Sequence, residues 1–356
     1  MNFPILRAAA FAGFATLLVT ACERPPATTV QHGYRGLAMG LVYNPRTLAA
    51  QADANAVPAA QPPADAEGPP AASVYQNIQV LTDLNAAQLA RLMVAMTAWV
   101  APPGESCSYC HAATDMASDA NYRKVVARTM LRMVRHINSD WQHHVAATGV
   151  TCYTCHRGKG VPQYVWTQQP ATDAGADFAG NRAGQNAPAA VVGLASLPND
   201  PFGTYFDGNA TNIRVVATQA LPGSGTGSTI KQTENTYGLM MHMSTALGVN
   251  CTYCHNSRSF TSWDSSTPQR ATAWYGIRMV RDINDQYLES LGSVFPANRK
   301  GPRGDVAKVD CATCHQGAYK PLYGTSMLKD YPELAHALPA AAAPAATPAA
   351  AAPAAK

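Results

Sequence analysis

Four copies of one five-residue pattern constrain this chain more than any other feature. CSYCH stands at 107–111, CYTCH at 152–156, CTYCH at 251–255 and CATCH at 311–315. C-x-x-C-H reads as a c-type haem attachment site. Two thiols add across the vinyl groups of the porphyrin, and the imidazole that follows ligates the iron. A single copy also admits a thioredoxin-like redox pair or half of a zinc site. One chance copy in a chain this long has odds of roughly one in a hundred, so four copies are not accidental. Neither zinc nor a disulfide framework requires a histidine after every second cysteine. The pattern therefore assigns four covalently bound c-type haems. Cys107, Cys110, Cys152, Cys155, Cys251, Cys254, Cys311 and Cys314 are their thioether residues, and His111, His156, His255 and His315 their near-side iron ligands.

Composition agrees with a chain organised around cofactors. Its 356 residues would ordinarily suggest two domains, yet only 13% are charged and glycine and proline number 26 each. The expected fold class is mainly α with much irregular structure, porphyrins supplying apolar volume that aliphatic side chains do not. The formal charge of +4 misleads. Loss of a basic leader and gain of eight haem propionates bring it to about −5, so a nucleic-acid role is unsupported.

The ninth cysteine, Cys22, follows a basic flank at Arg7 and a short apolar run from Ala8 to Val19. That run reads as a secretory signal, too short to span a membrane. "VTAC" resembles a bacterial lipobox, making Cys22 the expected lipid-modified first residue of the exported chain, held by a diacyl anchor.

The rest divides as follows. Residues 1–21 are the signal peptide and 22–74 a lipid-anchored segment with a Pro/Ala linker. Residues 75–162 form a first dihaem unit, 163–230 a connecting segment and 231–334 a second dihaem unit; 335–356 is an alanine/proline tail expected to be disordered. The two units are a repeat. LMVAM at 92–96 recurs as LMMHM at 239–243, and RMVRHIN at 132–138 as RMVRDIN at 278–284. Each copy runs helix, motif, helix, motif, which predicts two dihaem units related by a pseudo-two-fold axis, each haem lying along a helix.

Apolar residues at helical spacing mark 83–100, with Asp83 as N-cap, and 121–145. A further helix opens at STPQR with Thr267 as cap and Pro268 in its first turn. These helices carry the candidates for the far-side ligand, for which methionine and histidine are usual. Met93 and Met96 compete at the first site, Met130 and Met133 at the second, and Met240, Met241 and Met243 at the third. Under the offset of 146, Met133 falls on Met279 but Met130 falls on Gly276. If Met130 is a ligand, the fourth site has lost its counterpart and another side chain must fill the gap. Of His136, His143 and His144, helical geometry favours His144, about 40° off the face of Met130 and roughly 21 Å further along a continuous helix. His136 and His143 read as surface polar residues, and His242 as a haem-edge or solvent residue.

GVTCYTCHRG, STPQRATAWYGIRMVRDIN, DCATCHQG and LKDYPEL closely resemble the tetrahaem cytochrome subunit of purple-bacterial photosynthetic reaction centres, over about residues 75–334. The resemblance implies Met93, Met130 and Met240 as far-side ligands of haems 1, 2 and 3, and His144 as that of haem 4. It implies Arg270 near the propionates of haem 3, favouring reduction; Arg157 and Lys159 are further propionate partners. It implies a periplasmic, membrane-bound protein docked on the reaction-centre L and M subunits. Such a protein takes electrons from a soluble cytochrome c or a high-potential iron–sulfur protein and re-reduces the photo-oxidised bacteriochlorophyll pair. With both axial positions filled, no catalytic residue is expected and the chain is not an enzyme. The alternative function is a lipid-anchored multihaem carrier for a respiratory oxidoreductase.

Overall fold

The structure, a computed structural model, describes residues 28–31, 40–170, 189–208, 213–215 and 229–335. Cys22, the leader before it and the tail beyond 335 lie outside the described residues. What is described is mostly helical, joined by long irregular stretches. No helix among the described residues is long and apolar enough to cross a membrane.

The chain divides into two units, residues 1–56 with 249–270, and residues 57–248 with 271–356. In the first, β1 (Thr28–Gln31) pairs antiparallel with β2 (Gly40–Tyr43), Thr28 opposite Tyr43 and Gln31 opposite Gly40. A short helix, Pro45–Gln51, follows, with proline at its start and the Asn44 side chain accepting from Arg46 N. The Thr252 hydroxyl donates to Gly40 O at 2.6 Å and so ties the hairpin to the third motif.

The second unit holds the main core. Helix α1 (Ala86–Val100) buries Leu89, Leu92, Ala95, Met96 and Trp99. Its cap is Asn85, not the expected Asp83. Asn85 and Gln88 form a reciprocal capping box, whereas the Asp83 carboxylate grips the buried Arg135 guanidinium with two bonds of 2.9 Å. Helix α2 (Tyr122–Asp140), capped by Asn121, stops short of the expected residue 145. Trp141, its indole N–H held by Asp282 at 2.8 Å, leaves helical backbone, and Gln142–Val145 forms a separate turn.

Helix α3 (Cys152–His156) is the second motif itself. Helix α4 (Ile230–Leu247) opens on a Thr229–Gln232 capping box and ends at Gly248, φ 64°. There a Cβ would collide with Gly317 O, so glycine is required for the approach as well as for the turn. Helix α5 (Pro268–Ile283) opens on Pro268 as expected; the Thr267 hydroxyl before it donates to Tyr253 O. Helix α6 (Cys311–His315) is the fourth motif, capped by Asp310.

Packing is ordered: α1 lies on α3, α3 on α6, and α6 on α4. Gly158 N donates to Trp99 O and Gly317 N to Ala246 O, both at 2.8 Å, so in the second and fourth motifs the residue two past the histidine is tied to a long helix. Leu92 and Leu239, at corresponding places on α1 and α4, are fully buried, each contributing roughly 1.5–3 kcal/mol by leaving water. The stretch read as a connector feeds Trp166, Phe202, Tyr205 and Phe206 into this core. The Pro/Ala linker wraps the surface, its Gln61 and Pro62 carbonyls held by Arg91.

Candidate haem sites

The histidines separate by what holds their rings. His111 Nδ1 lies 2.9 Å from Met116 O, His156 Nδ1 2.8 Å from Lys159 O, His255 Nδ1 2.8 Å from Phe260 O and His315 Nδ1 2.9 Å from Ala318 O. A carbonyl oxygen only accepts, so each Nδ1 carries the proton and each Nε2 presents a lone pair. That is the tautomer a metal-ligating imidazole needs, with the ring aimed by a second partner. The reach is five residues in the first and third motifs and three in the second and fourth, so the motifs pair by geometry. Motifs one and three are short turns; motifs two and four are α-helical with a left-handed cap, Arg157 at φ 50° and Gln316 at φ 47°.

One further imidazole among the described residues is held the same way. His144 Nδ1 lies 2.9 Å from Thr272 O. Its ring covers Gly276, where a Cβ would come within 2.5 Å of Cε1 and 2.8 Å of Nδ1. Across from it stands the ring of His315, centroids 6.2 Å apart. An iron between two imidazoles needs metal–nitrogen bonds of about 2 Å and ring centres roughly 1 Å behind each nitrogen, a span of about 6 Å. The residues fit a bis-histidine iron. Burial holds His144 and His156 below the usual histidine range and His315 at about 4, which favours the neutral imidazole in all three.

The remaining histidines are engaged otherwise. His136, read from sequence as a surface residue, is instead clamped, with Nδ1 2.8 Å from Asp140 and Nε2 2.6 Å from Asp282. Neither nitrogen is left for a metal. His242, expected at a haem edge or in solvent, is 6% exposed and edge-on to Phe202, Nε2 3.7 Å from Asp310. Both depend on partners from distant segments. His143 is exposed and stacks on Tyr275, as a surface residue would.

Methionines divide similarly. Met96 and Met133 are built into the core, whereas Met93 and Met130 are half-buried at its edge. On α4 the Met243 side chain packs against the core and the Met241 methyl lies toward Gly193. Met240 aligns with Met93 at the offset of 147 and, like it, is half-buried. Helix α4 belongs to the second unit and the third motif to the first.

The buried thiols are poor nucleophiles. Burial pushes Cys254 up to about 11 and Cys152 to about 12, and raises Cys110 and Cys311 as well, the opposite of a thioredoxin-like pair. Among the described residues no three His, Cys, Asp or Glu side chains converge as a structural zinc site requires. Cys155 and Cys314 stand as a disulfide, Cα atoms 4.4 Å apart, where the sequence assigns both sulfurs to haem. A sulfur cannot hold both bonds, so the pairing and the thioethers are different chemical states of the same two residues. The pairing arises because motifs two and four lie back to back: Arg157 donates to Cys314 O and Gln316 to Cys155 O. Cys107 and Cys251 remain exposed thiols.

Arg270 donates to Ser262 O and the Ser266 hydroxyl and lies over Trp263, 4.2 Å from the ring centre. Lys159 pairs with Gln163.

The family model for the photosynthetic reaction centre cytochrome C subunit matches residues 23–335. This chain belongs to that family. It is 56% identical over 331 residues to the photosynthetic reaction center cytochrome c subunit of Rubrivivax gelatinosus, covering 93% of this chain and 90% of that one. It is 51% identical over 320 residues to the protein of that name from Thermochromatium tepidum, covering 90% and 78%. Membership of this cytochrome c family implies covalently bound haem c and association with the reaction centre.

Proposed function

We propose that this chain is the bound tetrahaem electron donor of a photosynthetic reaction centre: it takes electrons from a soluble periplasmic carrier and re-reduces the photo-oxidised bacteriochlorophyll pair. The observation that carries the reading is the set of five imidazoles whose Nδ1 is tied to a carbonyl, four in C-x-x-C-H motifs and one facing a motif histidine across Gly276.

The eight motif cysteines would hold four haem c groups by thioethers, with Cys155 and Cys314 in that state and not as a disulfide. His111 with Met93, His156 with Met130, His255 with Met240 and His315 with His144 would hold the four irons. When bound, the haems supply one-electron oxidation and reduction, which no side chain here provides. With two side chains holding each iron, no coordination position would be left for a substrate, which supports a carrier over an enzyme. The thioethers of Met93, Met130 and Met240 would favour ferrous iron, whereas His144 with His315 would set the fourth site lower. Arg270 would add positive charge at the third.

The two-unit organisation, 75–162 and 231–334 about a pseudo-two-fold axis, has support from recurring contacts. Asn138 pairs with the backbone of Val150, as Asn284 does with Val309. Arg157 and Gln316 exchange equivalent bonds, and His136 meets Asp282, its counterpart at the offset of 146.

Lipidation of Cys22 would place the third motif at the membrane. Five residues separate Cys22 from Thr28, a reach of at most about 20 Å, and the hairpin begun there is tied to that motif. A leader and lipobox would put the protein on the periplasmic face, and the family resemblance implies docking on the L and M subunits, with a soluble cytochrome c or a high-potential iron–sulfur protein as donor.

The test is a single-flash absorbance transient on native membranes poised with the haems reduced. Oxidation of the haem α-band in step with recovery of the pigment-pair bleach is expected. Haems that stay reduced while the pair recovers would assign the chain to a respiratory partner instead.

A further inference from the structure

Lys124 is buried, and beside its ion pair with the partly exposed Asp119 its ammonium is taken up by backbone. Its ammonium donates to three consecutive carbonyls of the loop after the first motif: Met116 O at 2.9 Å, Ala117 O at 2.6 Å and Ser118 O at 3.1 Å. Met116 O is also the acceptor that holds His111 Nδ1, at 2.9 Å. One carbonyl oxygen thus serves the first site's ligand imidazole and a buried cation at once.

The ligand's own bond to that carbonyl makes the imidazole a stronger donor to iron. An ammonium on the same oxygen draws density from it through a charge-assisted bond, roughly twice as strong as a neutral one. The carbonyl becomes a poorer acceptor for the His111 N–H, the imidazole a weaker donor, and ferrous iron is favoured. Asp119, 3.3 Å from Lys124 and also paired with Arg128, is held ionised, its carboxyl lowered to about 2 chiefly by the Arg128 bond. That carboxylate offsets the field of Lys124 at longer range, which leaves the shared carbonyl as the main route.

The repeat supplies a comparison. Lys124 is the third residue of α2 and Arg270 the third of α5, aligned at the offset of 146. Arg270 caps the corresponding loop but reaches Ser262 O, two residues past the Phe260 carbonyl that holds His255. A basic residue at this helix position therefore fastens the ligand loop at both sites, and at the first it acts on the ligand's own acceptor.

We infer that Lys124 is a positioning residue of the first haem site which, through the Met116 carbonyl, raises the reduction potential of the group bound at 107–111. The inference rests on the ligand assignment proposed above. Its test is an equilibrium redox titration of membranes carrying Lys124→Met or Lys124→Arg, resolved by α-band.

In Lys124→Met the reduced-to-oxidised ratio of one haem at fixed ambient potential falls about threefold to tenfold, tenfold being about 59 mV for one electron. Lys124→Arg stays within about twofold of wild type, and the Met–iron charge-transfer absorption is unchanged in both. Four unmoved potentials in Lys124→Met would overturn the inference. So would an equal shift in Lys124→Arg, or a shift with loss of the charge-transfer band, since either marks a loosened loop. Peptide mass separates the two levels. A 107–111 peptide without haem defeats the ligand assignment along with the inference, whereas haem present with an unmoved potential defeats the inference alone.

Discussion

Gly276→Ala is the smallest change that tests the fourth site. The added methyl would lie 2.5 Å from His144 Cε1, 2.8 Å from Nδ1 and 3.1 Å from Nε2, against an ordinary contact of 3.4–4 Å. The ring must move by about 1 Å. It cannot slide freely, because Nδ1 is held by Thr272 O on one side and the ring faces His315 on the other. Overpacking of this kind costs about 1–3 kcal/mol, and the displaced Nδ1 bond about 1 kcal/mol more. Alanine in a helix interior returns about 1 kcal/mol over glycine, so the fold survives with stability lowered by no more than about 3 kcal/mol. The loss falls on ligation. Electron paramagnetic resonance of the oxidised protein should lose its bis-histidine low-spin signal while the methionine-ligated signals persist. An unaltered bis-histidine signal in Gly276→Ala would refute the placement of His144 over this glycine and with it the ligand assignment.

Tryptic peptides of the mature protein should carry a haem mass on all four motifs; recovery of the 155 and 314 peptides joined through sulfur would instead assign the disulfide to the working protein. Met96→Leu, a volume-conserving core change, should cost under about 1.5 kcal/mol and leave Met–iron absorption intact, whereas Met93→Leu should lose one site's share of that band. Burial raises the Asp310 carboxyl to about 6, so the folded state binds its proton more tightly than the unfolded state does. Its contribution is therefore present below the unfolded pKa of about 4 and is lost as pH rises through about 6. Thermal melts of wild type against Asp310→Asn should show the wild-type advantage shrinking across that window, and a constant difference would contradict the burial argument.

Local chemistry carried the sequence reading, and non-local chemistry limited it. The motifs, the long helices and the buried faces of α1 and α2 follow from spacing within twenty residues. Even the His144–Gly276 contact was accessible, because the repeat exposed a missing side chain at one position. Asp83 was misread because its partner, Arg135, is 52 residues away and outcompetes a helix terminus for the carboxylate. His136 and the end of α2 were misread for one shared reason. Asp282, 141 to 146 residues on, takes both the imidazole and the Trp141 indole. Lys124 gave no signal at all, since nothing in YRKVV distinguishes a lysine in solvent from one capping three carbonyls.

The exchange at the fourth site has a consequence for the two halves. At the second site Met130 and His156 lie within one repeat, so 75–162 could furnish both ligands by itself. At the fourth, Gly276 removes the second repeat's own candidate and His144 comes from the first, between the Thr272 carbonyl and His315. On that ligand set the second half would not complete its iron site alone. Arg157 and Gln316 already join the halves through the backbone of each other's motif, but those are bonds of about 1 kcal/mol that either half could exchange for water. A shared iron is not exchanged for water in that way. On the proposed ligand set, the substitution of histidine for methionine would lower one potential and also make the second half depend on the first. Separately expressed halves should accordingly retain methionine–histidine ligation in the first and lose six-coordination at His315 in the second.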